Sequence, residues 1–348
     1  MHMADALISP AVGATMWAAS AGLIGYCSKK LKEEANERSV PLMGVLGAFI
    51  FAAQMINFTI PATGSSGHLG GGMILAILLG PYSGFLTISS VLIIQALFFA
   101  DGGLLALGCN IFNLGFFPCF IAYPFIYKKI VGKNLTKAKI IAAAVISAVI
   151  GLQLGAFGVV LETFASGVSE LAFNTFLIIM MPIHLAIGLV EGAVTAGTVL
   201  FVLQARPEIL KISNFTQVGD ISVKKLIIKI ACAAMFIGAI LSWFASYHPD
   251  GLEWAMFKTA GTEEIEPPEK NIYSSLSDVQ TKTAFLPDYG FKAKAAQETE
   301  KWPAIDAGTS TSGIIGGTLT LLTACLIGFL LKKRRYGTVK KPSNRGIK

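Results

Sequence analysis

Nine apolar stretches run through this 348-residue chain, at about 10–27, 41–60, 69–81, 84–100, 103–127, 140–161, 172–204, 226–246 and 313–331. A helix needs ~17–25 apolar residues to cross a hydrocarbon core ~30 Å thick, so most of these segments are long enough to span and the glycine-rich third is too short. The expected fold class is an all-α polytopic membrane protein. Composition agrees, with 53% of residues hydrophobic, 14% charged and a mean hydropathy of +0.64, values foreign to soluble globular chains. The third stretch is expected as a short tilted helix or part of a re-entrant loop. Non-helical backbone at membrane depth survives only where it is buried in protein or lines a cavity.

Lys and Arg accumulate on the cytoplasmic side of membrane proteins. Four lie in 28–40, five in 128–139, five in 206–229 and eight in 332–348, and nine crossings put all four segments on one side. The N-terminus, the loop around residue 68 and the long polar loop 247–312 then fall outside, and the C-terminus inside. Loop 247–312 holds 11 of the 21 acidic residues against six lysines. The net charge of +7 is therefore a signal of topology. Nucleic-acid binding is excluded, because the basic residues follow helix ends and form no aromatic-interleaved patch.

A polar stretch at 206–225, containing Pro207 and Gly219, divides the chain. Before it lies a transmembrane module, 1–205, of about seven helices. After it, 226–348 reads as a two-helix hairpin around the outer loop 247–312. That loop is too weakly apolar to build a core of its own and is expected to fold against the first module or to stay partly mobile. Small residues such as Ala142, Ala143 and Ala144, and Gly151, Gly155 and Gly158 at three- and four-residue spacing, let helix backbones approach closely and predict a compact bundle. Cys27, Cys109, Cys119, Cys232 and Cys325 have no CxxC spacing and read as small apolar side chains.

The chain opens Met1-His2-Met3-Ala4-Asp5, and a second histidine, His68, sits in the run GSSGHLGGG from Gly64 to Gly72. A free N-terminal amine, the next amide nitrogen and the imidazole of residue two can close fused five- and six-membered chelate rings on one metal ion, with a fourth nitrogen left to come from elsewhere. The competing reading is an ordinary solvated Met-His pair. Four nitrogens in a plane suit Ni²⁺ or Cu²⁺, with Co²⁺ admissible, whereas Mg²⁺ and Ca²⁺ want oxygen. A residue as large as His2 also disfavours removal of Met1. The glycines around His68 are not followed by Gly-Lys-Ser/Thr, so they supply backbone freedom for an inward loop, not a phosphate cradle.

Asp101, with Asn110 and Asn113 after it, reads either as a helix cap with ordinary interhelical hydrogen bonds or as a set that orients a ligand imidazole. His184 and Glu191 are seven apart on one helix face near the bilayer centre, where ionisable groups need partners. They read as a structural pair, a hydrogen-bond lock, with an ion pathway or a partner-subunit contact as the alternatives. His248, just outside the eighth stretch, is expected to be a loop residue, with a weak metal-relay ligand as the alternative.

These residues resemble the substrate-capturing component of energy-coupling-factor transporters for nickel or cobalt, of the NikM and CbiM type. The resemblance is carried by MHMADALISP ending at Pro10, GHLGGG from Gly67 to Gly72, ADGGLLALGCN from Ala100 to Asn110, and the segment from His184 to Glu191. It covers about the first 205 residues. PDGLEW from Pro249 to Trp254 and LPDYG from Leu286 to Gly290 resemble the accessory component of the NikN and CbiN type. The resemblance implies high-affinity uptake of a divalent ion as cargo, with no permanent cofactor. It also implies that the ion is bound outside by the Met1 amine, the His2 amide and imidazole, and the His68 imidazole. Fusion of the two components occurs chiefly in nickel systems, which favours nickel over cobalt. The family's ATPase and its transmembrane coupling (T) subunit are separate chains, in keeping with the lack of a Walker A loop here, so the chain is expected to be a transport subunit and not an enzyme. Two alternatives remain. One is a stand-alone secondary carrier using His184 and Glu191, and the other a membrane hydrolase using Ser65 or Ser66. The accessory module is expected to serve loading or gating.

Overall fold

Proline and glycine punctuate the apolar runs, and the helices break where they fall. A computed structural model describes residues 2–34, 39–132, 136–169, 171–206, 222–263, 265, 272–292 and 302–331. Met1, most of the polar linker, parts of the outer loop and the basic C-terminal segment therefore lie outside the described residues. After a short turn at Asp5–Leu7, helix α1 (Pro10–Glu34) starts on a proline, whose missing N–H costs nothing in a first turn. Helix α2 (Ser39–Gln54) is followed by a two-stranded antiparallel ribbon, β1 (Phe58–Ile60) and β2 (Ser65–Gly67), in the register Phe58↔Gly67 and Ile60↔Ser65. The sequence expectation carried this helix to residue 60. Phe58, Thr59 and Ile60 instead take extended backbone, because they are aromatic or β-branched and Pro61 disfavours helix in the residue before it.

Helix α3 (Gly72–Leu79) has eight residues, all buried, and matches the expected short element. Then come α4 (Pro81–Phe99), α5 (Leu107–Val131), α6 (Lys137–Ser166) and α7 (Phe173–Ala205). From Phe112 to Tyr127 α5 is wound as a π-helix around Pro118 and Pro124, a widening that accommodates residues without an N–H to donate. Helices α6 and α7 lie along one another, and a Cβ at Gly192 would come within 2.6 Å of the Val145 Cα.

The C-terminal segment supplies α8 (Val223–Ala239), α9 (Gly251–Ala260), α10 (Ile272–Thr283), a turn at Pro287–Tyr289, and α11 (Ala307–Leu331). Helix α11 packs on α2, where a Cβ at Gly316 would clash with the edge of the Phe51 ring. Among the described residues, five helices, α4 to α7 and α11, are long and apolar enough to cross a membrane. Phe164, Ile178, Leu326 and Phe329 on them point outward, as side chains facing lipid do. The described part of the outer loop folds against the N-terminal helices. Trp254 Nε1 donates to Thr63 O (3.0 Å), Tyr273 Oη to Ile8 O (2.9 Å), and Gln280 Nε2 to both Ala96 O (2.9 Å) and Gly102 O (2.8 Å).

Candidate metal centre

His68 follows directly on β2, and the backbone after it is held from three helices. Glu191 of α7 accepts the N–H of Gly70 on one carboxylate oxygen (3.0 Å) and that of Gly71 on the other (3.1 Å). Gln54, at the end of α2, donates to Gly70 O (3.0 Å), and its own Oε1 accepts from Gln95 Nε2 of α4 (3.0 Å). Gly71 has φ +78°, the left-handed region that glycine enters without cost, and there the chain turns into α3. On the other side, Ser66 N–H donates to Pro249 O (2.8 Å) and Ser66 Oγ to His248 O (2.8 Å), while Ser65 Oγ donates to Ser66 O (3.1 Å). These buried hydroxyls are committed to carbonyl acceptors, not to an activating base.

The N-terminal segment is threaded beneath this loop. Met3 N–H donates to Asn110 Oδ1 (2.8 Å), while Met3 O accepts from Asn110 Nδ2 (3.2 Å) and from Gly103 N–H (2.9 Å). Asp5 Oδ1 accepts the Ala106 N–H (3.0 Å). Residue two is thereby fixed. The His2 ring stacks on the His68 ring, with centroids 5.0 Å apart and planes at 23°. His2 Nδ1 lies 2.7 Å from Asp101 Oδ1, and Tyr289 Oη donates to Asp101 Oδ2 (2.5 Å). His68 Nδ1 meets its own neighbour Leu69 O at 3.2 Å, and His68 Nε2 lies 3.7 Å from Asp250 Oδ2. Asp250 is also the N-cap of α9, its Oδ1 accepting from Leu252 N (2.7 Å) and Glu253 N (2.9 Å).

The environment suits a cation. Burial pushes the His68 imidazole below its ordinary pKa, so the neutral, lone-pair-bearing form prevails. Burial opposes ionisation of Asp101, but His2 and Tyr289 outweigh it and hold the carboxyl well below the usual range. The two histidines line a cavity of about 540 Å³ to which Asp5, Asp101, Asp250, Glu253, Glu263 and Asp288 also belong, with neither Lys nor Arg among the described lining residues.

The other residues singled out from sequence go elsewhere. Asn113 Nδ2 donates to Glu162 Oε2 (2.7 Å), a buried carboxylate on α6 that sequence reasoning passed over. His184 and Glu191 do not bond to each other, because His184 Nδ1 donates to Met180 O (2.9 Å) while Glu191 serves the glycine amides. His248 is a loop residue whose ring packs at 4.5 Å on Tyr247. Asp250, Tyr289, Gln54 and Gln95 were not singled out. The two glutamines carried a signal, an amide side chain at the end of or within an apolar run, and the other two lay in matched motifs without an assigned role.

Residues 2–209 match the family CbiM, the cobalt uptake substrate-specific transmembrane region. The chain belongs to this family. Residues 224–333 match the PDGLE domain. A relative in Archaeoglobus fulgidus, named for a fused nickel transport protein NikMN, is 31% identical over 335 residues, covering 96% of this chain and 98% of its own. The fused nickel transport protein NikMN of Rhodobacter capsulatus is 31% identical over 225 residues, 60% of this chain and 64% of that one. The crystal structure of a transition metal transporter shares 30% identity and a TM-score of 0.53, covering 62% of this chain and 98% of that one. This CbiM-family member is a multi-pass membrane component of nickel or cobalt transport, of the CbiM and NikMN type.

Proposed function

We propose that this chain is the substrate-specific subunit of an ATP-driven energy-coupling-factor uptake transporter for a divalent transition metal, nickel in preference to cobalt. Residues 1–205 capture the metal, 206–225 form a cytoplasmic linker and 226–348 an accessory module. The observation that carries the reading is the stacked pair His2 and His68 in a cavity whose other charged residues, among those described, are all carboxylates, since clefts lined by one sign of charge concentrate the opposite ion. Among the described residues no three His, Cys, Asp or Glu side chains converge closely enough to hold an ion by themselves. The donor set we assign therefore draws on backbone as well, through the Met1 amine, the His2 amide and Nδ1, and the His68 imidazole. Met1 lies outside the described residues. The six-membered ring of that chelate runs through His2 Nδ1, the nitrogen that faces Asp101 here, so metal capture exchanges the carboxylate for the ion. Nickel is favoured by the match along nearly the whole chain to a relative named for nickel transport. The metal is cargo, and ATP hydrolysis belongs to separate ATPase chains that act through a T subunit. The carrier alternative loses its relay, because His184 and Glu191 bond to different backbone groups.

Replacing His2 or His68 with alanine in the untagged protein removes one nitrogen donor. Competitive nickel titration is expected to show affinity falling by more than about a hundredfold, about 3 kcal/mol, while the amount of folded protein is unchanged. Affinity within a few-fold of the parent for both variants would end this reading. Uptake also requires the histidines outside and the basic segments inside. In a cysteine-free background, Ser275→Cys is expected to react with an impermeant maleimide on intact cells and Ser343→Cys to react only after lysis. The reverse pattern would overturn the direction of transport.

A further inference from the structure

The PDGLE-matching region places a carboxylate at the metal centre. His68 Nδ1 faces Leu69 O at 3.2 Å, and a carbonyl only accepts, so Nδ1 carries the proton and Nε2 presents its lone pair. That nitrogen lies 3.7 Å from Asp250 Oδ2. Two such donors on one first-row divalent ion, with bonds of ~2.0–2.1 Å, stand ~2.9 Å apart when adjacent at a right angle and ~4.1 Å apart when opposite. The observed separation falls between these limits. The aim of the carboxylate is fixed, because its other oxygen is committed to the Leu252 and Glu253 amides in a capping box and the Pro249 carbonyl is tied to Ser66 of β2.

We propose that Asp250 is an oxygen donor to the metal held by His68, so that the C-terminal module completes the coordination sphere instead of standing outside it. The carboxylate adds an oxygen donor to the nitrogen set, which moves a Ni²⁺ site from four-coordinate towards five-coordinate geometry. This proposal rests on the assignment of His2 and His68 as ligands.

The test uses the full, untagged chain and the variants Asp250→Asn and His68→Ala. Asparagine caps a helix about as well as aspartate, so Asp250→Asn keeps α9 and removes the anionic donor. Nickel affinity is expected to drop about tenfold or more, the scale found for groups at or beside metal ligands. The ligand-field absorption of bound Ni²⁺ should at the same time shift towards the four-nitrogen square-planar pattern. Unchanged affinity and spectrum, or weaker affinity with an unchanged spectrum, would overturn the donor role. If His68→Ala leaves binding intact, the ligand assignment itself fails. If His68→Ala abolishes binding while Asp250→Asn leaves affinity and spectrum as in the parent, only the proposal about Asp250 falls.

Discussion

Residues added ahead of Met1 are expected to lower nickel affinity by more than about a thousandfold, about 4 kcal/mol, with folding intact. The effect follows from the way the first residues are held. Asn110 grips both sides of the Met3 backbone and Gly103 adds a third hydrogen bond, so the chain just before it has one position relative to His68. In an extended chain the terminal amine becomes an amide, which loses its basic lone pair, and the five-membered ring cannot close on an amine. The check compares untagged protein with protein carrying a short N-terminal extension, by metal titration and by size-exclusion profile in detergent. Equal nickel affinity in the two would remove the terminal amine from the ligand set.

Glu191→Ala carries the largest expected cost in stability. Its carboxylate accepts both the Gly70 and the Gly71 N–H, and all three residues are buried. Leaving two buried amide donors without an acceptor costs about 2–6 kcal/mol in total, comparable to much of a domain's stability. We expect a clear loss of folded protein in a thermal ramp, together with weaker metal binding, because the same two amides set the course of the backbone after His68. Glu191→Gln keeps one acceptor oxygen and turns an NH₂ towards the other glycine, so it should fall in between. A fully stable Glu191→Ala protein with normal metal binding would show that the clamp is dispensable. A stable Glu191→Gln protein that binds nickel but fails in uptake would move the residue onto the transport path.

The membrane fold was legible because hydrophobic length is a property of the linear chain. The ribbon at residues 58–67 was not, since Phe58, Thr59 and Ile60 continue an apolar run and only Pro61 argues against helix. Within the site, His2 and His68 stood out as imidazoles in unusual settings, and Asp101 could be read as the partner of one of them. The seven-residue spacing of His184 and Glu191 puts both on one helix face, but it does not reveal that each bonds to backbone and not to the other. The partners that Glu191 finds are backbone N–H groups of glycines, and no letter in a sequence marks an unsatisfied amide. Asp250 and Tyr289 escaped for a different reason. They approach the histidines from more than 180 residues away, and their role depends on how the outer loop lies across the bundle.

That the two regions share one polypeptide changes the thermodynamics of those contacts. Tyr289 reaching Asp101, and Pro249 and His248 receiving Ser66, are encounters between elements of a single chain. Tethered groups meet at effective concentrations that reach the millimolar range for short linkers, far above what separate membrane subunits would supply. Each cap on the histidine pair therefore forms with a probability set by the fold alone, independent of how many copies a cell makes. The degree to which the centre is assembled then becomes a fixed property of every molecule.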